Sequence, residues 1–444
     1  MGSLTKTKIL SIGLMMFSIF FGAGNLIFPP ALGQAAGENM PLAIIGFLIT
    51  GVGLPLLGIV AIAVTGGDYT KFISERIHPR FAVALLSVLY LTIGPLFAIP
   101  RTGAVSFEIG IRPLLVDSNA DLGQMIYTLV FFGLTYYLAL NPSKIVERVG
   151  NWLTPLLLLF LAILFTRSFI SPLGDFMGAT GQYAVTPLLQ GFQDGYLTMD
   201  LLASLAVGAI VVNAVKGAGV EQPKEIGRIC IAAGVISILL MSLVYVSLGY
   251  LGATSRATLG LSENGGVLLS QTAFIFFGTA GNSLLAAIIA FACLTTSCGM
   301  ASACAWFFND ISGGRLPYRR VLQASVLFSL FFANVGLTEL IRISIPFLTA
   351  IYPVVIVLVL LSLAHDFIGG SKEVYQWAIG MTFAFSVFDG LHAAGLQPVV
   401  LDEFFSAYVP LYAVQLGWIV PAVIGLFIGL IAGLLPTERA QEAQ

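Results

Sequence analysis

Charge is what this sequence has least of: Asp, Glu, Lys and Arg make up 9% of its 444 residues, whereas 58% are hydrophobic. A water-soluble domain carries about 25% charged residues, so the scarcity excludes an ordinary soluble fold and predicts a membrane protein. The net charge of -2 leaves no basic stripe to neutralise phosphates, which excludes nucleic acid as a partner. Cysteine is scarce too. Cys230, Cys293, Cys298 and Cys304 sit in or beside apolar runs without CxxC spacing, so neither a disulfide framework nor a zinc site is expected. His78, His365 and His392 are scattered and read as loop or helix-end residues. No GxSxG, HExxH or GxxxxGK[ST] segment occurs, so the residues of neither an enzyme nor a nucleotide-driven pump are in view. An ion gradient is the energy source that remains for any uphill transport.

What is present is a series of long uncharged runs. A bilayer core of about 30 Å takes about 20 apolar residues as a helix, and the runs fall at roughly 9–36, 42–64, 81–100, 123–141, 149–166, 188–215, 229–251, 280–308, 321–335, 343–364, 374–394 and 414–435. They predict an all-α polytopic protein of 12 transmembrane helices. Asp194 and Asp200 near the start of the sixth run and Asp389 near the end of the eleventh are exceptions needing a reason. Nothing is charged between Glu263 and Asp310, and a continuous helix of that length would overshoot the bilayer about twofold. The expectation is a surface or re-entrant helix near Gly266 to Phe277 and a span starting after Gly278-Thr-Ala-Gly281. Lys6 and Lys8 precede an apolar stretch as in a signal peptide, but the stretch outruns the usual 7–15 or so residues, so it reads as a retained first helix.

Basic residues set the orientation. With the N-terminus inside, the cytoplasmic segments hold fifteen of the twenty, including every lysine and Arg439, which predicts both termini in the cytoplasm. No long polar segment interrupts the runs, so residues 1–444 read as a single membrane unit. Carriers are often built of inverted halves, and Pro155 in the fifth run and Pro353 in the tenth each precede a purely apolar stretch. The corresponding halves are about 6–170 and 186–365, with 366–444 adding two more transmembrane helices.

Four places carry polar chemistry into these runs. The first run contains Gly22-Ala23-Gly24-Asn25 and then Pro29-Pro30. Small residues there suit either close helix packing or a helix broken at Gly22 to Gly24, and the Asn25 amide is a good cation ligand that needs partners in lipid. The sixth run contains Thr198, Met199, Asp200, Leu201 and Ser204; Asp200 is either the N-terminal cap of a late-starting helix or part of a second break, for coupling or for a substrate ammonium. The eighth run contains Ala292 followed by Thr295-Thr296-Ser297. Those hydroxyls either bond back to their own helix or, with carbonyls, form a sodium-sized oxygen site. The third run contains Pro95 and Pro100, which bend or end a helix, and then Arg101, which either snorkels to the outer interface or gates the outer vestibule with Asp194 or Glu108.

The blocks Phe20-Phe-Gly-Ala-Gly-Asn-Leu-Ile-Phe-Pro-Pro30, Gly94-Pro-Leu-Phe-Ala-Ile-Pro-Arg-Thr102 and Gly195-Tyr-Leu-Thr-Met-Asp200 with Ser204 resemble the bacterial branched-chain amino acid:cation symporters, the BrnQ-type carriers. The resemblance covers nearly the whole chain. It implies uptake of leucine, isoleucine and valine with sodium, or with protons, across the bacterial inner membrane, and no obligatory protein partner. It also implies a fold like that of the leucine transporter: a 5+5 inverted repeat in which helices 1 and 6 are discontinuous, plus two C-terminal helices. By the same resemblance the sodium ligands are the carbonyls of Ser18, Phe21 and Ala292 and the hydroxyls of Thr295 and Thr296. Asn25 falls where that fold can hold a second sodium beside the substrate carboxylate. Amides near Ala23 and Gly24 would take the carboxylate, carbonyls from Thr198 to Leu201 the ammonium, and Phe97 and Leu205 are expected to wall a dry side-chain pocket. The alternatives are a carrier of this fold for another neutral solute and, in a different class, a channel or a nutrient sensor, the latter expected to carry a cytoplasmic output domain.

Overall fold

A backbone in lipid has no partner but itself, and a helix satisfies its groups within one segment. The computed structural model describes residues 6–65, 69–115, 119–140, 144–217, 219–220, 222–396 and 398–434, and among them helices are the regular structure, with no strand. Arg439 lies outside the described residues, as do the side chains of Lys144 and Arg148.

The chain runs through α1 (Lys6–Phe20), α2 (Ala23–Ala36), α3 (Met40–Leu48), α4 (Leu54–Val64), α5 (Tyr69–Arg76), α6 (Pro79–Leu91), α7 (Ala98–Gly110), α8 (Ala120–Leu140) and α9 (Lys144–Ile170). It continues through α10 (Pro187–Asp194), α11 (Asp200–Gly217), α12 (Pro223–Leu259), α13 (Gly265–Ile311), α14 (Tyr318–Ala333), α15 (Leu337–Leu363), α16 (Lys372–Ala393), α17 (Val399–Tyr408) and α18 (Ile419–Leu434). A helix or a pair of helices overlies each of the twelve uncharged runs. Six helical stretches among the described residues are long and apolar enough to cross a membrane, and a seventh if the bent α11 counts as one.

The expected interruptions are where glycine and proline put them. The 47-residue α13 is broken at Gly278, whose φ of 65° and ψ of -162° take it out of the helical region. The third run kinks at Gly94 (φ -95°, ψ -126°), just ahead of Pro95, and resumes as α7, where Pro100 occupies the first turn and its missing N–H costs nothing. The inner helices meet almost backbone to backbone. A Cβ placed on Gly252 of α12 would lie 2.0 Å from the Pro30 carbonyl oxygen, and one on Gly265 of α13 would lie 1.7 Å from that of Ile27. The C-terminal α16 packs on α15 and α18, outside this inner group.

Candidate functional site

The first run is broken where Gly22 stands. Its extended backbone (φ -118°, ψ -167°) separates α1 from α2, and its N–H, which a continuous helix would give to the carbonyl four residues back, donates to Asn25 Oδ1 at 3.0 Å. The Asn25 side chain thus caps the helix that contains it. Its Nδ2 donates in turn to Asp200 Oδ2 at 2.7 Å and to the Tyr245 hydroxyl.

The sixth run is broken by a different device. Helix α10 tightens into a 3-10 turn over Gly195–Thr198, Met199 adopts a left-handed conformation (φ 62°, ψ 13°), and α11 starts at Asp200. A left-handed backbone costs a non-glycine residue about 1–2 kcal/mol, and such strain concentrates at functional sites. The Thr198 hydroxyl donates to the Gly195 carbonyl at 2.9 Å and accepts from Asp200 N at 3.4 Å, so it helps cap α11. Asp200 is 3% exposed and its carboxylate reaches across to Asn25 and Tyr245. Of the two readings of Asp200, the carboxylate therefore serves the contact between the breaks, while Thr198 takes part in capping.

Between the breaks lies a narrow cavity of about 40 Å³, more than a single water requires. Gly22, Ala23, Gly24 and Asn25 line it from one side and Thr198, Met199 and Asp200 from the other. Thr296 of α13 and Arg101 and Thr102 of α7 complete its polar lining; Ile93, Ala98, Ala203 and Met300 supply apolar wall.

Several sequence expectations are corrected here. Phe97 and Leu205 are buried but do not line the cavity. Phe97 lies at the kink and packs on Phe347, ring centroids 5.4 Å apart. Leu205, five residues after Asp200, is turned from it by about 140° around the helix, whereas Ala203 shares the Asp200 face. Leu201 and Ser204 also stay outside the lining: Ser204 donates to the Leu201 carbonyl at 2.7 Å and fills the space beside Gly58. Close helix packing does not explain Gly22, because an added Cβ there would meet nothing nearer than 3.7 Å.

Arg101 does not snorkel, and it is paired with neither Asp194 nor Glu108. It is 2% exposed; Nη1 donates to the Leu197 carbonyl, Nη2 to Ser344 Oγ at 3.4 Å, and the guanidinium carbon lies 4.9 Å from the centre of the Phe28 ring. Asp194 instead accepts from Tyr183 and Gln190. The kink at Gly94 and Pro95 lies in the same segment as the cavity-lining Ile93 and Ala98 and precedes α7, which carries Arg101 inward.

Thr295 and Thr296 both donate back to the Ala292 carbonyl, at 2.9 and 3.0 Å. Thr296 Cγ2 lies 3.7 Å from where a Gly22 Cβ would stand, so this oxygen cluster adjoins the first break. Ser18 belongs to the last turn of α1 and Phe21 follows that helix, its N–H donating to the Phe17 carbonyl at 2.8 Å; neither lines the cavity, nor do Ala292 and Thr295. Sequence reasoning missed Tyr245. Its hydroxyl shares the apolar 229–251 run with those of Ser237, Ser242, Ser247 and Tyr250, so no local signal singled it out.

Two discontinuous helices meeting at a polar cavity inside an apolar helical body define a membrane carrier. Comparison with known proteins gives the family: residues 5–435 match the family model described as branched-chain amino acid transport protein, and the chain belongs to that family. It is 47% identical over 442 residues to the branched-chain amino acid permease BraB of Bacillus subtilis (strain 168), covering 99% of each chain. It is 42% identical over 429 residues to the branched-chain amino acid transport system 2 carrier protein of Pseudomonas aeruginosa, covering 96% of each. Among solved structures it is similar to the nucleobase-cation-symport-1 family transporter Mhp1 in a closed conformation with bromovinylhydantoin bound, at a TM-score of 0.63 and 12% identity over 96% of this chain and 91% of that one. That likeness shows the fold, which is of the leucine-transporter type.

Proposed function

We propose that this chain is a secondary active symporter that imports leucine, isoleucine and valine together with sodium, by alternating access across the bacterial inner membrane. The observation that carries the reading is the direct contact of the two helix breaks, Asn25 to Asp200, at the cavity they line. The names of the relatives supply the substrate class. Twelve spans arranged as a 5+5 inverted repeat with two helices added, and cytoplasmic termini, are the topology that accords with this reading.

The binding of an amino acid follows from what the cavity offers. The N–H groups at the start of α2 and the dipole of that helix favour a carboxylate. Carbonyls of the 3-10 turn and the Asp200 carboxylate favour an ammonium. The apolar wall of Ile93, Ala98, Ala203 and Met300 suits an aliphatic side chain and leaves a charged one without a partner. A methylene is worth only about 1–3 kcal/mol in such a pocket, so leucine, isoleucine and valine compete with one another.

Sodium is written here as a co-transported substrate. Thr295 and Thr296 commit their protons to Ala292, so their oxygens present lone pairs, and with carbonyls of Ser18 and Phe21 they form a set suited to a hard cation. Proton coupling through Asp200 is the second reading, favoured by its buried carboxylate within hydrogen-bonding distance of Tyr245.

The test is uptake of labelled isoleucine into proteoliposomes under a sodium gradient or a proton gradient, imposed separately, for wild type and Thr296→Ala. Sodium-driven accumulation with an apparent sodium affinity roughly tenfold weaker in the variant, about 1.4 kcal/mol, is the expected result. Proton-driven uptake indifferent to sodium and to Thr296 would move coupling to Asp200, and a best substrate such as arginine or glutamate would overturn the substrate class.

A further inference from the structure

We infer that Arg101 and Asp200 form a two-ended clamp for a zwitterion, the guanidinium taking the substrate carboxylate and the Asp200 carboxylate its ammonium. This deepens the transport reading above and rests on it for the substrate class.

Arg101 is an unusual cation. It is buried, carries a full positive charge, and has no carboxylate within 4.0 Å among the described residues. Its hydrogen-bond and ring partners are neutral: a carbonyl, a hydroxyl and an aromatic face. The Nε is buried without a hydrogen-bond partner among the described residues. Burying a charge without a counter-charge is costly, and a guanidinium is shaped to accept a carboxylate on two parallel N–H groups. Arg101 lines the same cavity as Asp200, yet no ion pair joins them. A molecule bearing both charges on groups attached to one carbon satisfies the two residues together.

Position supports the division of labour. Arg101 Nη1 lies 3.3 Å from where a Cβ on Gly24 would stand, so the guanidinium adjoins the first turn of α2, where backbone N–H groups also favour an anion. Phe28 of α2 and the Leu197 carbonyl of the 3-10 turn fix it from two sides, which makes Arg101 a tie between the two breaks. Asp200, at the start of α11, is oriented by Asn25 and Tyr245.

The test is equilibrium binding to the purified full chain of leucine, leucinamide, 4-methylpentanoate and labelled alanine or phenylalanine, with wild type, Arg101→Gln, Arg101→Lys and Asp200→Asn. Wild type should prefer leucine over leucinamide and over 4-methylpentanoate by roughly thirtyfold or more, the scale of a desolvated charge contact. Arg101→Gln should erase the preference over leucinamide and keep that over 4-methylpentanoate; Asp200→Asn should do the reverse; Arg101→Lys should restore part of the first. A merely structural arginine would weaken all ligands alike and leave the ratios intact, and that result overturns the clamp. If the variants fail to fold, the wild-type series still decides, because leucinamide binding as tightly as leucine overturns it. Binding of alanine or phenylalanine but not leucine, with the same crossed pattern against the amide and the deaminated acid of the residue that binds, would sink the branched-chain reading and leave the clamp standing.

Discussion

The two ends of α2 are packed to different standards. At the N-terminal end Gly22 has room for a side chain, Gly24 faces the Phe28 ring and the Arg101 guanidinium, and both glycines line a cavity with Ala23. Farther along, a Cβ on Gly33 would stand 1.9 Å from the Gly249 carbonyl oxygen, and the carbonyls of Ile27 and Pro30 press on Gly265 and Gly252. Glycine does two jobs on one helix: it opens a seam at one end and permits backbone contact at the other. The comparison teaches that the site is a loosely filled boundary held between tightly locked helices, an arrangement suited to a cavity that must change shape while its frame persists.

The largest effect is expected where the frame is locked. Gly265→Ala forces a Cβ into the Ile27 carbonyl, where backbone rather than a flexible side chain must yield, and about 3 kcal/mol of destabilisation follows, the upper end of the usual overpacking cost. Size-exclusion profiles and melting temperatures should show loss of folded protein; a stable, active variant would break the contrast between the two ends. A smaller effect belongs to the seam. Tyr245→Phe removes the hydroxyl that Asn25 and Asp200 share, a change of about 1–3 kcal/mol, so leucine uptake should fall roughly tenfold while melting shifts little. Retention of full uptake would remove Tyr245 from the site. The smallest effect is expected at Gly22→Ala: its extended backbone suits any residue and the space is open, so stability should stay within about 1 kcal/mol of wild type. A large loss of stability there would erase the distinction altogether.

How much of this was legible in the sequence depends on whether a feature is written locally. The first break was legible because Gly22, Gly24 and Asn25 are poor helix formers set inside an apolar run. The break in α13 at Gly278 was legible because the run is too long for one span. The residue that ends the 3-10 turn was not. Met199 is a good helix former, and its left-handed backbone is imposed by surroundings rather than by its own preference. Arg101 was misread for a related reason: a single arginine beside a helix-bending proline looks like an interfacial residue, and only the kink at Gly94 and the turn carrying Leu197 show that it points inward. The Leu205 wall failed because the register of α11 begins at Asp200, which sets Ala203 rather than Leu205 on the cavity face, and the Phe97 wall because the kink turns that ring onto Phe347.

The central claim is that the contact of the two breaks is the substrate site. Its most direct test is binding of labelled leucine to purified wild type and Asn25→Ala, with melting temperatures measured on the same samples. Removing Asn25 deprives Gly22 N–H of its acceptor and Asp200 of a donor. Binding should weaken at least roughly tenfold, about 1.4 kcal/mol, in a protein that still melts cooperatively. Unchanged leucine affinity in a folded Asn25→Ala variant would contradict it.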